Sequence, residues 1–170
     1  MALSNIIPKS LTEVDVLLDN GEILDGSIYL AEDELPADVL NSEDPFLLVK
    51  LAGGTRMVNK NMVTRVLVRD DRNTLERLRQ MPHERVSLIL KDGTPLNGVV
   101  LLRSVNRVSG EINQAQAFIR FVSDQDIAEY IRTDIIGQVV LEDNNRSVSA
   151  ADPAPEGPFR RGAFGSRAVN

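Results

Sequence analysis

Residues 14–30 read VDVLLDNGEILDGSIYL, and residues 86–102 read VSLILKDGTPLNGVVLL. At an offset of 72, Val14, Leu18, Gly21, Leu24, Gly26 and Leu30 return as Val86, Leu90, Gly93, Leu96, Gly98 and Leu102, and Phe46 returns as Phe118. A self-similarity of this length marks a duplicated structural unit, and it constrains the fold more than any other feature of the chain.

Each copy reads as strands. Val14, Val16 and Leu18 alternate with Asp15, Leu17 and Asp19, the pattern of a half-buried strand. Asn20-Gly21 follows in the first copy and Asp92-Gly93 in the second, predicting hairpins whose two turn residues both take positive φ. The next apolar strand holds Gly26 or Gly98 in its interior, which predicts a bulge or barrel corner. Connectors follow at 31–45 and 103–117, then apolar strands at 46–51 and 118–122, short turns (AGGT, SDQD) and final strand pairs at 57–68 and 130–141. The final segments align at offset 73, so the second copy has one extra residue in the turn before them. About five short strands per copy predict an all-β chain of two small barrels.

Between the copies, DDRNTLERLRQMPHE spaces Leu75, Leu78 and Met81 as a helix does, and Pro82 ends it. It reads as a short helix packed on the second unit. The expected division is a first barrel at 11–69, a helix plus second barrel at 70–141, and a disordered tail at 142–170. There Pro, Gly, Ala and Ser dominate and periodicity is lost.

Composition narrows the function. The chain has no Cys and one His, which excludes disulfides and an ordinary transition-metal site. His83 reads as a surface residue. No secretory signal is read at the N-terminus, and no apolar run approaches the ~18 residues of a membrane span, so no membrane insertion and a cytoplasmic location are expected. Net charge is −6. Residues 11–69 carry 11 acidic and 5 basic side chains, against 10 and 9 in 70–141, so the first copy holds the excess. Nucleic-acid affinity rests on Lys and Arg neutralising phosphates, so the acidic copy disfavours RNA.

The order of apolar strand, x-Gly turn, glycine-containing strand and paired closing motif resembles the Sm-like family of Sm, LSm and Hfq proteins, over roughly 11–69 and 83–141. Ile131-Arg132-Thr133-Asp134 is similar to the LSm closing motif, with Thr133 where the family has Gly. Met57-Val58-Asn59-Lys60-Asn61 is similar to the Hfq version, whose core is Tyr-Lys-His; Lys60 matches, and Asn59 and Asn61 depart. The resemblance implies two tandem five-stranded Sm-like (SH3-like) barrels. It also implies pairing between the fourth strand of one barrel and the fifth of the next, one such contact inside the chain and others between chains. Three chains would then imitate a six-membered ring; the rival expectation is a closed pseudo-dimer with blunted outer edges.

The RNA-contacting loop of the family is replaced here by the long connectors. The first holds Glu32, Asp33, Glu34, Asp38, Glu43 and Asp44 and no basic residue. It lacks the spacing of a calcium loop and reads as a solvated or partner-docking loop. The second holds Arg103 and Arg107 against Glu111. Candidate RNA- or partner-binding residues are therefore Asn59, Lys60, Asn61, Arg103, Arg107 and Arg132; the plain alternative for the asparagines is that they suit a tight turn. Asp124, Asp126 and Glu129 read as an exposed hairpin without catalytic partners. In the tail, Phe159, Arg160, Arg161, Phe164 and Arg167 form a compact basic-aromatic motif that either orders on a partner or stays solvated. The expectation is a non-enzymatic assembly or adaptor protein without metal or cofactor, a homo-oligomer with a protein partner. The alternative is an Hfq-like RNA binder.

Overall fold

The computed structural model describes residues 9–69, 72–103, 107–113 and 116–142. Ten strands run in chain order: β1 (Lys9–Leu18), β2 (Ile23–Ala31), β3 (Phe46–Leu51), β4 (Gly54–Asn59), β5 (Val63–Val68), β6 (His83–Leu90), β7 (Pro95–Leu101), β8 (Phe118–Ser123), β9 (Ala128–Arg132) and β10 (Ile136–Leu141). Short helices α1 (Pro36–Leu40), α2 (Arg72–Arg79) and α3 (Val108–Asn113) lie between them. All ten strands belong to one antiparallel sheet in the order β10-β6-β7-β8-β9-β5-β1-β2-β3-β4. Each half uses the same local order, last strand, first, second, third, fourth, and the halves meet where β9 pairs with β5. Apart from Glu142, the tail expectation falls on residues outside those described.

The hairpin turns are one residue longer than the sequence suggests. Gly21 N–H donates to Leu18 C=O (3.1 Å) and Leu18 N–H to Glu22 C=O (2.9 Å), with only Gly21 at positive φ (84°). Gly93 (φ 88°) repeats this through Leu90 and Thr94. This is a three-residue loop closed by a left-handed glycine, not a two-residue turn. Asn20 keeps an ordinary φ because its Oδ1 accepts from Glu22 N–H (2.9 Å), as Asp92 Oδ1 accepts from Thr94 N–H (2.8 Å). The change of offset from 72 to 73 is visible between the third and fourth strands of each half. Leu51 pairs directly with Gly54 across Ala52-Gly53, whereas Ser123 N–H reaches Ile127 C=O across three residues with Asp126 at φ 60°.

Gly26 and Gly98 owe their conservation between the copies to close strand approach. A Cβ on Gly98 would overlap the Val122 carbonyl oxygen and crowd the Phe121 ring; one on Gly26 would overlap the Lys50 carbonyl oxygen. The connectors each hold a short helix. Pro36 begins α1, and the Asp38 carboxylate accepts from Leu35 N–H at 2.8 Å, using one connector acid to satisfy a helix-start donor. Glu34 likewise accepts from Ala31 N–H at 2.7 Å.

Among the described residues two apolar clusters form, and neither coincides with one half of the sheet. The larger joins Val14, Val16, Val49 and Val66 of the first half to Phe118, Val122, Ala128 and Tyr130 of the second. The smaller is built of second-half residues alone, among them Leu88, Val108, Phe121 and Ile131. Helix α2 sends Leu78 into the larger cluster, with Leu75 and Met81 against it, so it packs on the shared core and not on the second unit alone as expected. That side is where β8 and β9 need cover. Both strands are buried on both faces, while of their counterparts β3 leaves one face open and β4 is exposed from Gly54 through Met57.

Gly98→Ala should lower stability by about 2–3 kcal/mol through overpacking. Gly53→Ala, at an open position, should change it by less than about 0.5 kcal/mol. Urea unfolding of the two variants checks the contrast; equal effects would contradict the close-approach account.

Candidate assembly interface

The seam between the halves is a strand pair reinforced by polar side chains. In the β5–β9 register Arg65 faces Ile131, Val66 faces Tyr130, Leu67 faces Glu129 and Val68 faces Ala128. Arg65 donates to Glu129 Oε2 from Nη2 at 2.5 Å and from Nε at 3.2 Å, with the Glu129 side chain only 5% exposed and that of Arg65 17%. A carboxylate so withdrawn from water requires its counter-charge, so the pair favours one register over its neighbours. Glu129, expected on an exposed hairpin, is thus a buried strand residue. Its hairpin companions Asp124 and Asp126 are exposed and pair with Arg85 (3.0 Å) and Arg79 (2.6 Å).

At the end of the seam, Arg132 donates from Nη1 to the Asn61 carbonyl and from Nε to Asp134 (2.5 Å). Beside it, Asn41, the residue that ends α1, grips Phe118. Its Oδ1 accepts from Phe118 N–H (2.9 Å) and its Nδ2 donates to Phe118 C=O (3.1 Å). One amide side chain therefore serves both backbone groups of a strand residue, as a neighbouring strand would.

The structure gathers four of the six sequence candidates at this seam, chiefly in structural roles. Asn59 Oδ1 accepts from Asn61 N–H (2.9 Å) and caps the 3-10 turn Lys60–Met62. Lys60 is 7% exposed, and its Nζ donates to Val39 C=O (2.6 Å), Ser42 C=O (3.2 Å) and Ser42 Oγ (2.8 Å), satisfying acceptors at the end of α1. Burial pulls its pKa below the ordinary lysine value, with Asp44 acting in the opposite sense. Arg132 bridges the halves, and Asn61 supplies the carbonyl. Arg103 and Arg107 lie apart in the second connector. The Arg103 guanidinium sits 3.9 Å from buried Glu111, and the Arg107 carbonyl accepts from Gly110 and Glu111 N–H. The tail candidates Phe159, Arg160, Arg161, Phe164 and Arg167 lie outside the described residues. His83 is exposed, as expected.

Sequence reading missed Asn41 and the Arg65–Glu129 pair. The available signal was that Asn41 recurs as Asn113 at the same offset that carries Phe46 to Phe118. A cleft between the two glycine turns is lined by Arg65, Lys91 and Arg132 but also by Asp19, Glu22 and Asp92, so its charges balance. The Thr94 N–H holds the Asp92 carboxyl below its usual range, and Asp15 and Asp25 fix the charge of Arg69.

Among the described residues the sheet ends at β4 on one side and β10 on the other. Near these edges Met57 is 63% exposed and Val140 49%, with Phe46, Leu48 and Leu141 also exposed. Their internal counterparts Tyr130 and Phe118 are buried. Among the described residues no group of three or more acidic or His side chains is placed to hold a metal, and no helix is long and apolar enough to cross a membrane. No family model matches the chain, and neither does any curated protein or solved structure.

Arg65→Met strands a buried carboxylate and should cost about 3 kcal/mol, whereas Arg65→Met with Glu129→Met should cost clearly less than the two single changes added. Denaturation of all three variants reads the coupling. Additive losses would mean the pair does not define the seam.

Proposed function

We propose that this chain is a non-enzymatic assembly module of two tandem Sm-like barrels, joining copies of itself and a protein partner through its strand edges, connectors and tail. The observation that carries this reading is the asymmetry between matched strands. β9 has a partner strand on each side and is buried on both faces; β4, its counterpart, has no second partner strand among the described residues and exposes Met57. β5 is paired on both sides, and its counterpart β10 only on one among the described residues. Each free end thus displays one half of the contact that the chain makes internally. Unpaired strand edges are templates for pairing with another chain. A contact between two unlike edges is head-to-tail, and it closes into a ring or runs on as a filament. Three chains closing through six barrels is the ring this reading favours.

RNA binding is the weaker reading. Lys60 spends its charge on the end of α1, Arg132 bonds Asn61 and Asp134, and the first connector is acidic. A continuous basic rim is what phosphate recognition would require.

Native mass spectrometry of protein purified without nuclease tests the proposal. The wild-type chain should appear as a nucleic-acid-free oligomer, and Met57→Lys or Val140→Lys, each placing a charge at one open edge, should give monomer. A wild-type monomer at every concentration would overturn the assembly reading, and copurifying RNA would favour the alternative.

A further inference from the structure

We infer that Asn113 is a register latch: in the contact between two copies it clamps the backbone of Phe46 on the next chain, fixing β10 against β4 with Val139 opposite Met57. This inference rests on the edge-pairing reading above and specifies its partner as a second copy of this chain.

The internal seam supplies the template. Asn41 follows α1 and clamps Phe118, the first residue of β8, across the seam. Adding the repeat offset to Asn41 gives Asn113, at the end of α3; subtracting it from Phe118 gives Phe46, the first residue of β3. Both halves of the clamp therefore recur, one near each free edge. Asn113 is exposed, and Phe46 is 44% exposed where Phe118 is 1%.

Backbone geometry at the two phenylalanines matches. Thr133 N–H donates to Ala117 C=O (2.8 Å), immediately before Phe118. Lys60 N–H donates to Pro45 C=O (2.9 Å), immediately before Phe46. In an antiparallel ladder the residue next to such a bonded pair turns its own N–H and C=O away from the paired strand. Phe118 does this and meets Asn41. Phe46, opposite Asn59 in β4, does the same. Its N–H and C=O point outward past the end of the β2–β3 pairing, which runs only through Ser27–Lys50 and Ile28–Val49. An amide side chain offers the donor and acceptor that this pair of groups requires.

The register follows from the same offsets. Val66 opposite Tyr130 becomes Val139 opposite Met57, and Leu67 opposite Glu129 becomes Val140 opposite Arg56. The contact between copies lacks the Arg65–Glu129 ion pair, since the corresponding residues are Gln138 and Arg56. Val139, Val140 and Leu141 are all apolar, so side-chain identity alone specifies the register weakly. The asparagine clamp, anchored outside the strands, distinguishes this register from its neighbours.

The chain has no Cys, so engineered pairs report without background. The experiment oxidises full-length Met57→Cys/Val139→Cys protein and compares it with Arg56→Cys/Val139→Cys, with and without Asn113→Ala, while sedimentation reads assembly of the cysteine-free chain. The first pair should cross-link between chains far better than the shifted pair. Asn113→Ala should weaken assembly about tenfold and even out the two cross-link yields. Unfolding of Met57→Lys monomers should be indifferent to Asn113→Ala, which separates a latch from a fold-stabilising residue. If the protein assembles but cross-links equally in both registers, or Asn113→Ala changes neither readout, the latch is wrong and edge pairing stands. If the wild-type chain never assembles, edge pairing falls and the latch with it.

Discussion

Everything in this structure depends on the need of strand-edge N–H and C=O groups for partners. A five-stranded antiparallel unit satisfies its interior ladders and leaves two edges unmet. Pairing β9 with β5 satisfies one edge of each half and turns ten strands into a single sheet. Burial follows from that pairing. Phe118 and Tyr130 reach a core shared with the first half, α2 lays Leu78 over it, and the residues that would otherwise cap an isolated unit become interior. The buried Arg65–Glu129 pair and the Asn41 clamp then make one register better than those a residue away, since shifting it would strand a carboxylate and an amide.

The strand order shared by the two halves gives the seam a further meaning. Two copies of one unit have two of every edge, and a single internal contact uses only one of each. Among the described residues the sheet is left with unlike ends, β4 and β10, each resembling a surface that is already matched elsewhere in the same molecule. The exposed Met57 and Phe46, where the other half buries Tyr130 and Phe118, mark the difference in apolar terms. The internal contact is also chemically richer, with its ion pair and the Arg132 bridge, so the permanent seam and the one proposed between copies are graded in strength by composition and not by topology.

Much of this was legible in the sequence because it depends on periodicity and on glycine. The alternation of Val14, Val16 and Leu18, the repeated turns and the extra residue before the second closing motif all correspond to observed strands and loops. The two mid-strand glycines were legible as special positions, and the structure gives the reason as strand approach. What escaped was long-range. The connector helices are only five and six residues long, too short for a periodic signal, and α1 is held by local carboxylates and by Lys60 from another part of the chain. Lys60 and Arg132 looked like surface cations because motif resemblance reports residue type and not burial. Glu129 looked solvated because its partner Arg65 lies 64 residues away. Asn41 was visible only as one member of a repeated pair, and its role appears once the seam is folded.

The most direct test of the central claim, that the two halves share one sheet through β5 and β9, is residue-resolved amide hydrogen exchange across a protein concentration series. The account predicts that amides joining β5 to β9 exchange only through global unfolding at every concentration, while those on the outer edges of β4 and β10 exchange fast when dilute and slow as concentration rises. Exchange of the β5 and β9 amides at the rate of free strand edges, in protein whose other strands remain protected, would show two separate units and contradict it.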